Sequence, residues 1–110
     1  MASATPASAT PVTGDRTVKL FAQFTAAPTS TRAQYDESIA RLQDAGEFPP
    51  DGLAFHVAFG SPGHLRVSEI WDSREQFEAF GQRLMPILAE IGIELAGEPE
   101  VTETYNIITR

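Results

Sequence analysis

Apolar and polar residues alternate in four short stretches of the chain, and two longer stretches between them repeat apolar residues at helical spacing. Alternation places successive side chains on opposite faces of a strand, whereas a spacing of three and four residues places them on one face of a helix. The stretches typical of strands are residues 17–24, 53–59, 65–71 and 101–109. The pattern predicts the order β-α-β-β-α-β, an α+β ferredoxin-like fold with a four-stranded antiparallel sheet and both helices on one side.

The first helical stretch carries its own start and stop signals. Thr31 stands three residues before Gln34, which is the spacing of a capping box, and the helical pattern stops at Gly46. The apolar stripe of this helix comprises Tyr35, Ile39 and Leu42.

The second helical stretch follows a corner at the end of the third strand. Asp72 or Ser73 is placed to cap it, because Glu75 or Gln76 follows three residues later. Pro86 should bend this helix or begin a separate turn. The stripe predicted to be buried comprises Phe77, Phe80, Leu84, Leu88 and Ile91.

One face of the predicted sheet is mixed in character. In the second strand, Leu53, Phe55, Val57 and Phe59 share one face, and His56 lies on the other between two alanines. A solvated face would carry more charge than the mixed face does, and a plain core would carry fewer polar groups. We therefore expect this face to pack against a second copy of the chain around a cavity. Its residues are Phe21, Gln23, His56, Thr104, Asn106 and Ile108.

Composition narrows the class of protein. The 110 residues predict one folded domain at 16–110, preceded by a flexible tail at 1–15 that is rich in Ala, Ser, Thr and Pro. A net charge of −7 opposes binding to nucleic acid or to an anionic membrane. The chain has no cysteine, which removes disulfides and thiolate chemistry and fits a cytoplasmic protein. No apolar run approaches the length of a membrane span.

The stretch EIWDSREQF, residues 69–77, lies at the junction of a strand and a helix within this order of elements. Over residues 17–109 the chain resembles the dimeric α/β-barrel superfamily, and within it the antibiotic-biosynthesis-monooxygenase-like proteins. The resemblance implies a homodimer that packs sheet against sheet and keeps a small-molecule cavity. Relatives include cofactor-free oxygenases, haem-degrading enzymes, polyketide cyclases and isomerases. The haem-degrading branch carries a His on the second helix, whereas this chain has none after His64, so we expect no cofactor.

His56 and Glu69 are the candidate catalytic residues. Histidine titrates near neutral pH, so a partly buried one acts as a general base or donates a hydrogen bond to a forming anion. A desolvated carboxylate at Glu69 would serve as a base. The alternatives are an imidazole whose hydrogen bonds are satisfied by a neighbouring strand or by the dimer partner, and a Glu69 that only pairs with Arg66, Arg83 or His56.

Six further residues are candidates for binding an apolar or aromatic ligand. Trp71 would be a wall on which a flat substrate stacks, or else a core residue whose N–H needs one acceptor. With two histidines and no cysteine, no metal site is expected. The substrate-binding candidates are Phe21, Gln23, Trp71, Met85, Tyr105 and Asn106.

Three functions remain open from the sequence. The first is a cofactor-independent oxygenase, cyclase or isomerase in which His56 handles a proton. The second is a non-catalytic protein that binds a small molecule or supports a partner, and the third is a dimer with a filled barrel. A cavity of roughly a few hundred cubic ångströms with convergent polar groups favours the first two, and a packed interior favours the third.

Overall fold

One antiparallel sheet and two helices make up the chain over residues 18–110, the part that the structure, a computed structural model, describes. The strands are β1 (Leu20–Thr25), β2 (Leu53–Phe59), β3 (Arg66–Trp71) and β4 (Glu100–Glu103), and the helices are α1 (Arg32–Asp44) and α2 (Arg74–Ile91). The sheet order is β2-β3-β1-β4, with every neighbouring pair antiparallel. The predicted ferredoxin-like fold is confirmed. The predicted tail at 1–15 lies outside the described residues.

Both helices begin where the capping residues predict. The Thr31 hydroxyl accepts from the Gln34 backbone N–H at 3.1 Å, and the Gln34 side chain accepts from the Thr31 N–H at 2.8 Å. The Ser73 hydroxyl accepts from the Gln76 N–H at 3.2 Å. These bonds satisfy backbone donors that a helix start leaves free. Helix α2 continues through Pro86, so no separate turn begins there.

The hydrophobic core lies between the sheet and the two helices. Leu20, Leu42, Trp71 and Phe80 form its buried cluster. The Trp71 side chain is fully buried, with its ring centre 5.5 Å from that of Phe80 and 5.9 Å from that of Phe77. Aromatic rings at these separations pack favourably and fix the position of α2 over the end of β3.

Strand β2 contains an irregularity that inverts part of its predicted alternation. Leu53 pairs with Trp71 and Phe55 pairs with Ile70, with a register shift between them. Residues paired across a ladder share a face, so Leu53 faces the helices and Phe55 faces away. His56 consequently faces the helices. The prediction that His56 lies on the mixed outer face is wrong, because one extra residue in a strand moves every later side chain to the opposite face.

Strand β4 is shorter than the predicted strand at 101–109. Its pairing with β1 ends where Leu20 meets Glu103, and the Thr104 N–H then bonds to the Lys19 carbonyl at 2.9 Å. Tyr105 and the residues after it lie beyond the start of β1, and no strand among residues 18–110 pairs with them. No helix between residues 18 and 110 is long and apolar enough to cross a membrane.

Candidate functional site

Four side chains form a continuous hydrogen-bonded chain between the sheet and α1. The Trp71 indole N–H donates to Glu69 Oε1 at 2.9 Å. The second carboxylate oxygen, Glu69 Oε2, lies 2.7 Å from His56 Nδ1. The other ring nitrogen, His56 Nε2, lies 2.7 Å from the Tyr35 hydroxyl. We refer to Tyr35, His56 and Glu69 as the Tyr-His-Glu chain.

The fold places these side chains through strand register and helix capping. Glu69 and Trp71 are two residues apart on β3 and therefore share its inner face. His56 pairs with Glu69 across the β2–β3 ladder. Tyr35 lies in the first turns of α1, whose start is fixed by the capping box at Thr31.

The carboxylate of Glu69 is almost completely removed from water. Glu69 is 3% exposed, and the side chain of His56 is 17% exposed. Burying a carboxylate is costly unless hydrogen-bond donors surround it. The donors that the described residues supply to its side chain are the Trp71 N–H and the imidazole of His56. Glu69 therefore depends on both contacts.

With Glu69 ionised and His56 neutral, each hydrogen bond has one direction. An ionised carboxylate only accepts, so His56 Nδ1 carries the proton that it donates to Glu69. In the neutral imidazole, Nε2 is then the acceptor, and the Tyr35 hydroxyl donates to it. The pKa of Tyr35 is raised, first by burial and then by the negative charges of Asp36 and Glu69. A raised pKa keeps this hydroxyl protonated, as the donor role requires.

The Tyr-His-Glu chain forms one wall of a cavity of about 70 Å³ between the sheet and the helices. A cavity of this size holds a few water molecules, and ligand pockets usually measure about 300–1,000 Å³. Most of its other lining residues are apolar, including Phe24, Leu42, Leu65, Phe80 and Leu88.

A surface groove of about 270 Å³ adjoins the same tyrosine. Tyr35 and Leu65 border both the groove and the cavity. The side chain of Tyr35 is half-buried, so it stands between the interior and the surface. The remaining groove residues are Arg32, Asp36, Ala58, Phe59 and Gly60.

The structure brings together both predicted catalytic residues. His56 and Glu69 are in contact, so of the partners considered for Glu69 the structure places His56 beside it. Trp71 joins them only through its N–H. It lies in the core cluster and does not line the cavity, so its predicted place on the cavity wall is wrong.

The other predicted substrate-binding residues do not share this site. Phe21 and Gln23 lie on the outer face of the sheet, where Gln23 Nε2 donates to Ser68 Oγ at 3.0 Å. On α2, Met85 is 48% exposed. Tyr105 and Asn106 follow the end of β4 and are exposed. None of these five residues lines the cavity beside His56.

Sequence reasoning missed Tyr35 as a functional residue. It was assigned to the buried stripe of α1 as an apolar side chain. A buried tyrosine needs a partner for its hydroxyl, and this need is the signal that would have linked it to the histidine of the neighbouring sheet. No group of three His, Cys, Asp or Glu residues within 18–110 is arranged to hold a metal ion.

Solved structures with similar folds were found, whereas no protein-family model and no curated protein matches the chain. The cofactor-independent oxygenase SnoaB from Streptomyces nogalater superposes with a TM-score of 0.53 at 15% identity, over 84% of this chain and 97% of its own. A candidate antibiotic biosynthesis monooxygenase from Chloroflexus aurantiacus gives 0.52 at 21% identity, over 83% and 95%. A third, from Bordetella bronchiseptica, gives 0.54 at 14% identity, over 83% and 99%. The chain therefore has the fold of antibiotic biosynthesis monooxygenase proteins, and the resemblance inferred from its sequence is confirmed at the level of the fold.

Proposed function

We propose that the protein is a small-molecule enzyme that removes or returns a proton without a cofactor, as an oxygenase, cyclase or isomerase. The observation that carries this proposal is the Tyr-His-Glu chain at the wall of an apolar cavity. A histidine oriented by a buried carboxylate is the arrangement that general acid–base catalysis uses. SnoaB, which has a similar fold, is described as a cofactor-independent oxygenase, so this fold is compatible with an enzyme of this kind.

The chemistry follows from the polarity of the hydrogen bonds. Glu69 holds the proton of His56 on Nδ1 and leaves the lone pair of Nε2 directed toward Tyr35. When Nε2 takes up a proton, the imidazolium is paired with the buried carboxylate. Positioned acid–base groups of this kind contribute about 10²–10⁴-fold to a rate. A substrate whose anion is itself stabilised then reacts with oxygen, closes a ring or isomerises.

The substrate of this proposal is small and largely apolar. The cavity holds only a small group, but the groove that shares Tyr35 and Leu65 with it adds about 270 Å³. The apolar walls of the cavity favour an aromatic or otherwise apolar group there, and the groove adds the charged side chains of Arg32 and Asp36 to its apolar residues. A non-catalytic protein that binds the same kind of molecule is the second candidate, because the same walls would hold a ligand that is not turned over.

A homodimer is part of this proposal. The outer face of the sheet exposes large apolar side chains, with Phe55 49% exposed and Val57 37% exposed. Their neighbours on that face are Phe21 and Ile70. A contiguous apolar surface of this kind is typical of an interface, and a second copy packed sheet against sheet would cover it.

Size-exclusion chromatography with light scattering tests the homodimer. We expect a dimer for the parent chain and a monomer for Val57→Asp, because the new carboxylate would be buried in an apolar interface. Ala40→Asp, on the exposed side of α1, is the matched control and should remain a dimer. A parent chain that is monomeric at all concentrations would contradict the dimer.

A thermal-shift screen tests the catalytic proposal. The parent chain, His56→Ala and His64→Ala are each heated with a panel of small phenols and β-dicarbonyl compounds. A ligand that binds the folded state raises its stability according to concentration and Kd. We expect hits that His56→Ala loses and His64→Ala keeps, since His64 is exposed in the β2–β3 connection. Compounds that register are then followed for turnover and oxygen uptake.

The outcomes of this screen separate the candidate functions. Turnover that depends on His56 supports the enzyme. Binding without turnover in the parent chain favours the non-catalytic binding protein. Turnover that survives in His56→Ala contradicts the acid–base role.

A further inference from the structure

We propose that the hydroxyl of Tyr35 is the atom that exchanges a proton with the substrate, and that it passes this proton to His56. This inference rests on the proposed function and deepens it. Its basis is that both ring nitrogens of His56 are already occupied. Nδ1 lies 2.7 Å from Glu69 Oε2, and Nε2 lies 2.7 Å from the Tyr35 hydroxyl. A ligand cannot reach either nitrogen while these contacts hold.

Tyr35 is the member of the Tyr-His-Glu chain that a ligand in the groove can meet. It borders the surface groove, whereas His56 and Glu69 line the cavity between the sheet and the helices and do not border the groove. The side chain of Tyr35 also borders that cavity, so a ligand on either side meets the tyrosine. Tyr35 therefore lies between the space that a ligand would occupy and His56, the base.

The proton movement balances without an ionised tyrosine. The substrate O–H or C–H bond breaks and its proton bonds to the Tyr35 oxygen, while the Tyr35 O–H bond breaks and its proton bonds to His56 Nε2. The products are the substrate anion and an imidazolium that faces the carboxylate of Glu69. The reverse movement returns a proton to a product. Tyr35 is neutral before and after the step.

The environment of Tyr35 agrees with this relay. Burial, and then the charges of Asp36 and Glu69, raise the pKa of Tyr35 and disfavour a free tyrosinate. A group that must not hold a negative charge is suited to passing a proton on as it receives one. The negative charges that oppose a tyrosinate also favour the imidazolium that the relay creates.

The groove indicates the class of substrate. Ala58, Phe59 and Leu65 give it apolar walls, and Arg32 and Asp36 supply one charge of each sign. The guanidinium of Arg32 donates to the Gly60 carbonyl at 3.0 Å. An apolar ring fits the walls, and an oxygen that becomes anionic is attracted to the Arg32 side of the groove and repelled from Asp36. A small phenol or enol, with one acidic O–H on an apolar frame, has this chemistry.

The test uses 4-nitrophenol, whose phenolate absorbs visible light and whose neutral form does not. The full chain and its Tyr35→Phe, His56→Ala and Tyr105→Phe variants are titrated with the probe at a pH below the ionisation of free 4-nitrophenol. We expect the parent chain to bind it as the yellow phenolate. Tyr35→Phe, which removes one oxygen atom and keeps the ring, should lower the phenolate fraction about tenfold or more. Tyr105→Phe, at an exposed position, should behave as the parent chain.

Each outcome identifies which proposal fails. Phenolate that is lost in both His56→Ala and Tyr35→Phe supports the relay. Phenolate that is lost in His56→Ala but kept in Tyr35→Phe overturns the role of Tyr35 and leaves the proposed function standing. A parent chain that produces no phenolate overturns the acid–base site as well. The melting temperature and the 15N chemical shifts of Tyr35→Phe are also measured. If they show that the variant is still folded, a loss of phenolate in it is not caused by unfolding.

Discussion

Replacing Glu69 by alanine and by glutamine separates the hydrogen bonds of this residue from its charge. Alanine removes the acceptor of the Trp71 N–H, which is buried, and of His56 Nδ1. Glutamine has nearly the same shape and still offers one oxygen to Trp71. Its amide group faces Nδ1 with a donor, so the proton of His56 moves to Nε2. Glutamine therefore keeps the hydrogen bonds and changes the tautomer of His56, whose proton is now on Nε2.

The magnitudes follow from the burial of the two partners. Leaving a buried donor unsatisfied costs about 1–3 kcal/mol, so two such donors together cost roughly 2–6 kcal/mol. Glutamine replaces two charge-assisted bonds by neutral ones, at about 1 kcal/mol each, and part of this loss is offset because no charge is buried. We expect Glu69→Ala to lose roughly 2–6 kcal/mol of unfolding free energy and Glu69→Gln to lose less than about 2 kcal/mol.

Urea unfolding of the three proteins measures this difference. Glu37→Ala is the control, since Glu37 pairs with Arg41 at 2.7 Å on the exposed side of α1. Exposed pairs four residues apart on a helix contribute about 0.3–0.5 kcal/mol, so this control should change little. Equal losses for Glu69→Ala and Glu69→Gln would refute the reasoning, because they would show that the hydrogen bonds of Glu69 do not decide its contribution.

Three further predictions concern the scaffold and the tyrosine. Gly60→Ala should cost about 1–3 kcal/mol, because φ is +109° and a Cβ would clash with the backbone carbonyl oxygen of His64. Gly81→Ala, in α2 with open space around the new Cβ, should add about 0.5–1 kcal/mol to the free energy of unfolding in urea. Thr31→Ala removes the cap of α1 and should cost about 1 kcal/mol by the same measurement. In the Tyr105→Phe variant, the absorbance of the ionised tyrosine side chain should show that the pKa of Tyr35 lies above its ordinary value of 10.0. Because the folded-state pKa is raised, the neutral hydroxyl stabilises the fold fully below pH 10, and this contribution is lost as pH rises through the raised value.

Local sequence signals were sufficient for the order of elements. The capping box at Thr31 and the cap at Ser73 are short-range features, and the structure places both helix starts there. Alternation was sufficient to find β1, β2 and β3. The last strand was predicted too long, because its length is set by β1, to which it pairs, and not by its own alternation.

The site could not be predicted from the pattern of any single strand. The pairing of His56 with Glu69 was open in the sequence, since the face of His56 changes with a single extra residue near Leu53. Tyr35 reaches the site from a helix, and its contact with His56 joins positions 21 residues apart. Neither the irregularity nor this contact has a local signature. Trp71 was assigned to the cavity for the same reason, because its place in the core depends on how α2 packs on the sheet.

The measurement that tests the account most directly is the 15N NMR spectrum of His56 in histidine-labelled protein, recorded before and after 4-nitrophenol is added. His64→Ala assigns the signals, because the chain has two histidines. The account predicts a proton on Nδ1 and none on Nε2 in the free protein, followed by protonation of Nε2 when the phenolate forms. A proton on Nε2 of the free protein, or an Nε2 signal that the ligand leaves unchanged, would contradict it.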